Sequence, residues 1–436
     1  MLKKIPLPAL ARQTGWMQRA SEKITPWHLV TAALLLVSQP QISLTVLAVL
    51  LGLLCRKTVS KQAVDQRLTA AAALFLKEAL GAALSLCLSS VKAAKALPQP
   101  FAWPFARILV QDSSTIKLTE KLADVYPGGA NQHGRTPGVL RLQAIFDLWS
   151  QRWVSFALSP YVRNDQKASP DLLPHVRKND LVLRDLGYFA VRVLEQIVQR
   201  GAFFLSRFYF RTSVFDLEGR PIDLLKLLRQ KGKVDQWVRI GQKEKMQMRL
   251  VAFRAPAHVA NERRRKARAH WQNRCQLSKA YLALQNWTIF LTNVPVAVLS
   301  ARQVMELYGQ RWQIEIIFKG WKSHFHLEAV SCATTASLLE VAIYGKLLFI
   351  TLTHPLTAPQ LSAQEAQVEV RHYSRLRVNL LTCQCLVSVV LEHWGIAAAA
   401  GLVFRYKLSR GGGNDPATNW LVEIGSWTRN ERVNRK

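Results

Sequence analysis

Tyr308-Gly309-Gln310-Arg311-Trp312-Gln313-Ile314-Glu315-Ile316-Ile317-Phe318-Lys319-Gly320-Trp321-Lys322 is the stretch on which the reading of this chain turns. Taken as part of one helix over Leu299–Phe325 and advanced by about 100° per residue, it sorts its side chains into two faces. Tyr308, Arg311, Glu315, Lys319 and Lys322 fall within about 80° of one another, while Leu307, Ile314, Ile317, Phe318 and Trp321 take the other side. Such a helix buries an apolar face and presents one acid surrounded by bases. Spacing alone also describes a solvated surface with an Arg311–Glu315 ion pair one turn apart.

Two acids upstream give the stripe a partner. Arg107-Ile108-Leu109-Val110-Gln111-Asp112 and Leu181-Val182-Leu183-Arg184-Asp185 each read as a short apolar strand ending in an acid. Val139–Asp147 and Arg152–Leu158 read as strands around a turn, Pro170–Arg177 as a helix, Val191–Gln199 as the helix after the second acid, and Ala202–Phe210 as a further strand. Strands and helices mixed in this way predict an α/β core. Residues 212–295 are less regular, with strands at Gln236–Ile240, Met248–Arg254 and Trp287–Thr292. Among them lies Arg263-Arg264-Arg265-Lys266, followed by Arg268, Arg274 and Lys279. That density of charge suits phosphates, and equally describes a solvated basic helix.

The rest of the chain sets limits. At 436 residues it holds two or three domains, and 59 Lys+Arg against 28 Asp+Glu gives a net charge of +31. An excess of this size speaks of polyanionic partners, nucleic acid first, with acidic proteins and anionic membranes behind. Residues 1–97 are rich in Ala and Leu and read as helical, a new helix opening over Val59–Asp65, and Pro98, Pro100 and Pro104 mark a boundary. Ile24–Cys55 carries no formal charge, but Ser38-Gln39-Pro40-Gln41 interrupts it. The apolar runs are then shorter than the roughly 18–20 residues a span needs, so two buried helices broken at Pro40 are expected and no membrane association. Six cysteines are scattered, only Cys383 and Cys385 being close, which predicts neither a zinc site nor a disulfide framework. Gly411-Gly412-Gly413 follows no strand and opens no helix, so it is no phosphate loop.

Asp112, Asp185 and a helical Glu315 would together make an oxygen-only cage. Mg²⁺ prefers such ligands, and two ions about 3.5–4 Å apart can activate a nucleophile and stabilise the leaving oxygen of a phosphodiester. The chemistry needs neither Cys nor His.

The motifs then match a known pattern. Tyr308-x2-Arg311-x3-Glu315-x6-Lys322 resembles the Tyr-Arg-Glu-Lys signature of bacterial DDE transposases of the insertion-sequence-four group. Val110-Gln111-Asp112-Ser113-Ser114 resembles that group's first acidic motif, Leu183-Arg184-Asp185-Leu186-Gly187-Tyr188 its second, and Leu291-Thr292-Asn293-Val294-Pro295 the text ahead of the signature helix. The resemblance runs from about residue 60 to 350.

It implies an α/β fold with a ribonuclease-H-like catalytic core interrupted by a β-rich insertion, a helical N-terminal domain and a helical C-terminal region. The implied division is a DNA-binding domain over 1–97, the first part of the core over 98–211, the insertion over 212–295, the second part of the core over 296–355, and a helical, basic region over 356–436 suited to dimerisation through Val370–Thr382 and Arg429–Lys436. Asp112, Asp185 and Glu315 would hold two Mg²⁺ per site, with Mn²⁺ able to substitute. Tyr308, Arg311 and Lys322 would grip transposon-end phosphates, Lys319 and Arg263, Arg264, Arg265 and Lys266 adding further DNA contacts. The implied partners are double-stranded transposon ends and target DNA, the implied assembly a homodimer, and the setting the bacterial cytoplasm, at the nucleoid when DNA-bound. Some relatives cut the second strand through a hairpin and hold a flipped base on a tryptophan of the insertion, where Trp237, Trp271 and Trp287 stand here. A non-catalytic DNA-binding relative and a plain metal-dependent nuclease are the competing readings.

Overall fold

The computed structural model describes residues 2–19, 23–89, 104–129, 136–271 and 277–365. The chain opens with helices α1 (Leu7–Gln13), α2 (Pro26–Leu35), α3 (Leu44–Cys55), α4 (Lys61–Asp65) and α5 (Ala70–Ser89). Their starts are written locally. Thr25 and His28 form a reciprocal cap before Pro26 at the first helical position of α2, while Ser43 and Ser60 cap α3 and α4. Each such cap stabilises by about 1 kcal/mol. α2 runs on as a single 3₁₀ turn over Leu36–Ser38 and stops before Pro40, so the uncharged segment folds as two separate helices, as its composition suggests.

The centre of the molecule is a nine-stranded sheet. Its strands are β1 (Arg107–Lys117), β2 (Val139–Asp147), β3 (Arg152–Pro160), β4 (Asp180–Arg184), β5 (Phe203–Arg207), β6 (Val214–Phe215), β7 (Lys233–Ile240), β8 (Met246–Arg254) and β9 (Trp287–Thr292), in the order β3-β2-β1-β4-β5-β9-β8-β7-β6. β1 runs parallel to β4 and β4 to β5, while the remaining neighbours are antiparallel. The short helix α6 (Asp165–Ala168) precedes β4, and α7 (Val191–Gln199) links β4 to β5. Helices α8 (Leu224–Lys231), α9 (Ala257–Trp271) and α10 (Lys279–Leu284) connect the later strands. The strands within 212–295 therefore do not form a sheet of their own; β9 pairs with β5 through Leu205–Thr292 and carries β8, β7 and β6 out from the same sheet.

Two expectations change here. Asp112 does not end its strand: β1 continues to Lys117 because Ser113 through Lys117 pair with Gln143 through Val139, and β-branched Thr115 and Ile116 suit that ladder. Pro170–Arg177 is a 3₁₀ run over Ser169–His175 rather than an α-helix, since Pro174 lies inside it without an N–H to donate.

After β9 come α11 (Ala301–Gly309), α12 (Trp312–His324) and α13 (Ala336–Glu365). The single helix expected over Leu299–Phe325 is two. Gln310, Arg311, Gln313 and Ile314 each donate their N–H three residues back, to Leu307, Tyr308, Gln310 and Arg311. These 3₁₀-type bonds tighten the junction and change the phase between Tyr308 and Glu315, a geometry that often marks a functional hinge. α13 also runs unbroken through residue 356, so the division expected there falls inside a helix.

Apolar side chains cover both sheet faces. One core joins Ile108, Val110 and Leu183 to α2, α3, α5, α12 and α13; the other joins Leu109, Val182 and Phe204 to α7 and the later strands. Ala70–Ser89 and Ala336–Thr353 are apolar and long enough to cross a bilayer, but here they pack on each other, contributing Phe75, Leu76, Leu347 and Leu348 to the first core. The Val370–Thr382 helix, the Arg429–Lys436 tail, Cys383, Cys385 and the Gly411–Gly413 run lie outside the described residues.

Candidate active site

Three separate elements bring three carboxylates together. Asp112 comes from the middle of β1, Asp185 from the first residue after β4, where it caps the 3₁₀ turn Leu186–Tyr188, and Glu315 from the first turn of α12. The parallel register sets Val110 beside Leu183, so both aspartates stand two residues further on, at neighbouring positions. Each is oriented by a backbone amide. Ser113 N–H donates to Asp112 Oδ1 at 2.8 Å, and Gly187 N–H to Asp185 Oδ2 at 3.2 Å.

Arg311 stands between them. Its Nη2 donates to Glu315 Oε1 at 2.6 Å and lies 3.7 Å from Asp185 Oδ1, while Nη1 lies 3.8 Å from Asp112 Oδ2. Among the described residues no three His, Cys, Asp or Glu side chains approach closely enough to ligate one ion, and it is the Arg311 guanidinium that faces all three carboxylates. Burial pushes the Asp112 carboxyl up to about 7, against the Ser113 amide and Arg311, with Asp185 and Glu315 adding to the rise. Burial also opposes the charge on Arg311, yet Asp185, Tyr308 and Glu315 hold its guanidinium above the ordinary value. One cation thus serves three acids, and the site keeps room in its charge balance for more positive charge.

Tyr308 lies beneath Arg311, the guanidinium carbon 5.8 Å from its ring centre, and its hydroxyl donates to Arg184 O at 3.3 Å. Its ring packs on Phe290, and burial pushes the phenol up to about 12. Lys322 donates to Thr115 O at 3.1 Å and pairs with Glu328 at 3.0 Å, which sets it along β1 beyond the carboxylates. Lys319 is exposed, 5.8 Å above the ring of Trp312. The basic run sits on α9, a helix in this structure. Arg263 donates to Trp287 O and Thr288 Oγ1, Arg264 to Asn286 and Asn261, and Lys266 pairs with Glu262, leaving Arg265 exposed.

Of the insertion tryptophans, Trp287 is a core residue at 8 % exposure, Trp237 is half-buried, and the side chain of Trp271 is outside the described residues. Two features escaped the sequence. Trp312 is 54 % exposed beside Arg311; its place seven residues from Lys319, on one helical face, was the available signal. Arg184 and Gln111, the residues just before the two aspartates, form a buried pair, and no periodicity announces it.

The sequence model described as "Transposase DDE domain" matches residues 103–352, more than half of the chain and all of the elements just described from β1 to α12. The transposase for insertion sequence element IS231F of Bacillus thuringiensis subsp. israelensis is 30 % identical over 297 residues, covering 62 % of this chain and 61 % of that protein. The transposase for insertion sequence element IS1151 of Clostridium perfringens is 24 % identical over 331 residues, 71 % of this chain and 69 % of its own length. The match to the first of these thus spans about three fifths of the relative. A solved piggyBac transposase synaptic complex with hairpin DNA superposes with a TM-score of 0.45 at 9 % identity, over 96 % of this chain and 84 % of that one. With the family match enclosing Asp112, Asp185 and Glu315, the chain belongs to the DDE transposase family of bacterial insertion sequences.

Proposed function

We propose that this protein binds the terminal inverted repeats of an insertion sequence, nicks the DNA at the element boundary and joins the freed 3′ ends to target DNA. The observation that carries the reading is the convergence of Asp112, Asp185 and Glu315, from β1, the β4 turn and α12, on one cation. The order β3-β2-β1-β4-β5, with the Glu helix packed on β1, supports a ribonuclease-H-like core, and the segment between β5 and α11 is the insertion.

The donor set fits divalent metal: three carboxylates with oxygen ligands only, one of them buried so that additional positive charge would favour its ionisation. Asp112, Asp185 and Glu315 would hold two Mg²⁺, or Mn²⁺ in their place. When bound, these supply Lewis acidity to the attacking oxygen and charge stabilisation to the leaving one. The chain's own residues do the rest. Arg311, with a planar fork matched to phosphate oxygens, moves from the carboxylates to the DNA backbone. Lys322 adds a point charge, Lys319 and the exposed Arg265 add phosphate contacts, and Tyr308 supports Arg311 from below. The helical segment before β1 takes part in end binding, and the working assembly is a homodimer on two ends in the bacterial cytoplasm.

An end-cleavage assay with purified protein, linear DNA carrying the terminal repeats and Mg²⁺ tests the proposal, with Asp185→Ala alongside. Nicking at the repeat boundary that disappears in the variant is the expected result. Binding without cleavage in both proteins would favour a non-catalytic relative, and cleavage without joining a plain nuclease.

A further inference from the structure

Behind the carboxylates lies a polar layer that the reaction itself does not use. Successive strand residues point to opposite faces, so Gln111 and Arg184 project away from the side on which Asp112 meets α12. There the Arg184 guanidinium donates from Nη1 to Gln111 Oε1 at 2.7 Å. Its Nη2 donates to Ser169 Oγ and, at 3.0 Å, to Tyr188 O. Ser169 Oγ donates to the same Tyr188 carbonyl at 2.8 Å, and Gln111 Nε2 donates to Ala168 O at 2.9 Å. Arg184 therefore grips the strand that carries Asp112 and the turn that follows Asp185 in one planar group.

The arrangement is costly on its own terms. Arg184 is 1 % exposed, and among the described residues no carboxylate forms an ion pair with it. An apolar side chain would fill such a place at less cost, since a buried charge is compensated only by good hydrogen bonds. A second link runs parallel to the first. Asp165 Oδ1 accepts from Ser113 Oγ at 2.8 Å, Arg141 Nη1 at 2.9 Å and Gln143 Nε2 at 3.1 Å, while Tyr188 Oη donates to Gln143 Oε1 at 2.6 Å. Ser113 is the residue after Asp112, and Tyr188 closes the turn after Asp185. Both links join the same two segments.

We propose that Arg184 is a positioning residue that sets the separation and orientation of Asp112 and Asp185 for divalent-metal binding, acting through Gln111 on one side and the Leu186–Tyr188 turn on the other. The inference rests on the transposase reading of the carboxylate site and adds to it the group that holds the site in shape.

The test is Mn²⁺ binding to the full-length protein by electron paramagnetic resonance, with thermal melting and repeat-end DNA binding measured on the same samples. Arg184→Met should keep end binding but weaken Mn²⁺ binding by about 10–100-fold, the range seen when an outer partner of a metal ligand is lost. Gln111→Leu should shift in the same direction with Arg184 in place, and Gln111→Glu, which keeps an oxygen facing the guanidinium, should bind Mn²⁺ within about threefold of wild type. Unchanged Mn²⁺ affinity in folded Arg184→Met or Gln111→Leu overturns the positioning role. Loss of the fold in both overturns it too, in favour of a purely structural one. A wild-type protein that does not bind Mn²⁺ would instead sink the metal-site reading itself.

Discussion

Arg311 Nη2 donates to Glu315 Oε1 at 2.6 Å, one helical turn away, while the same guanidinium faces Asp112 and Asp185 at 3.8 and 3.7 Å. A side chain whose proposed task is to hold DNA thus occupies the centre where the carboxylates would hold metal. On that proposal the two tasks exclude each other in space, so engaging a phosphate and freeing the acids would be one movement of Arg311.

Glu315→Gln separates these roles. The amide oxygen can still accept from Arg311, so end binding should stay within about twofold, but a neutral ligand is a poor one for Mg²⁺. Cleavage should fall by more than about a hundredfold, beyond the loss expected for an outer-shell partner. Full cleavage by this variant in a single-turnover assay would reject the metal assignment of Glu315.

Asp112 makes the metal-free protein sensitive to pH. Its carboxyl is pushed up to about 7 from an ordinary 3.8, mainly by burial. Between those values the unfolded chain has released a proton that the folded chain keeps, so stability falls as pH rises through that window and levels off above about 7. Melting temperatures taken without metal should drop between about pH 4 and about pH 7, and Asp112→Asn should flatten that drop, removing a stability change on the order of a few kcal/mol across the window. Mn²⁺ binding should run the other way, tightening toward pH 7, because the proton and the metal compete.

Lys322 is shared between Thr115 O and Glu328. Lys322→Met should weaken end binding and reduce the slope of log K against log salt by about 0.9, one phosphate's worth. Glu328→Gln removes the competing carboxylate and should tighten binding. An unchanged salt slope in Lys322→Met, measured by anisotropy titration, would remove Lys322 from the DNA contacts.

Trp312, the residue after Arg311, offers an exposed ring with Lys319 above it. Trp312→Ala should leave the melting temperature alone and weaken binding to ends that carry unpaired terminal bases by about 1–3 kcal/mol, the worth of one stacked base. Equal affinity of wild type and variant for such ends would exclude a stacking role.

Gly345 tests how the N-terminal helices are fastened. A Cβ at this position would stand 2.6 Å from Ala33 Cβ and 2.6 Å from Ala33 O, so α13 and α2 touch through backbone. Beside it Lys346, at 0 % exposure, donates to Leu36 O at 2.7 Å and Phe325 O at 3.0 Å, tying α2 to the end of α12. Gly345→Ala should destabilise the protein by about 1–3 kcal/mol in urea unfolding, as overpacking does. A neutral substitution would show that the two helices separate without cost.

Much of this architecture is legible in the amino-acid pattern. Val139–Asp147, Val191–Gln199 and Trp287–Thr292 fold as their patterns predict, because apolar and aromatic enrichment in a strand and amphipathic spacing in a helix are local signals. Where local patterns mislead, a longer-range constraint wins. Pairing with β2 carries β1 past Asp112 into polar sequence. The 3₁₀ junction at Gln310–Arg311 breaks a stripe that a uniform helical wheel draws as continuous.

The order of the acidic motifs, the Tyr308–Lys322 spacing and the excess of positive charge belong to the sequence by itself, and they suffice to indicate the family. Only the tertiary structure decided that Arg311 sits among the three carboxylates, that Arg263 and Arg264 are bonded within the protein, and that Arg184 holds Gln111 beneath the site. The reason is physical. Motif spacing records which side chains share an element, whereas the partner of a buried charge is set by which strands lie side by side. That depends on the parallel register of β1 with β4, formed between segments far apart in the chain.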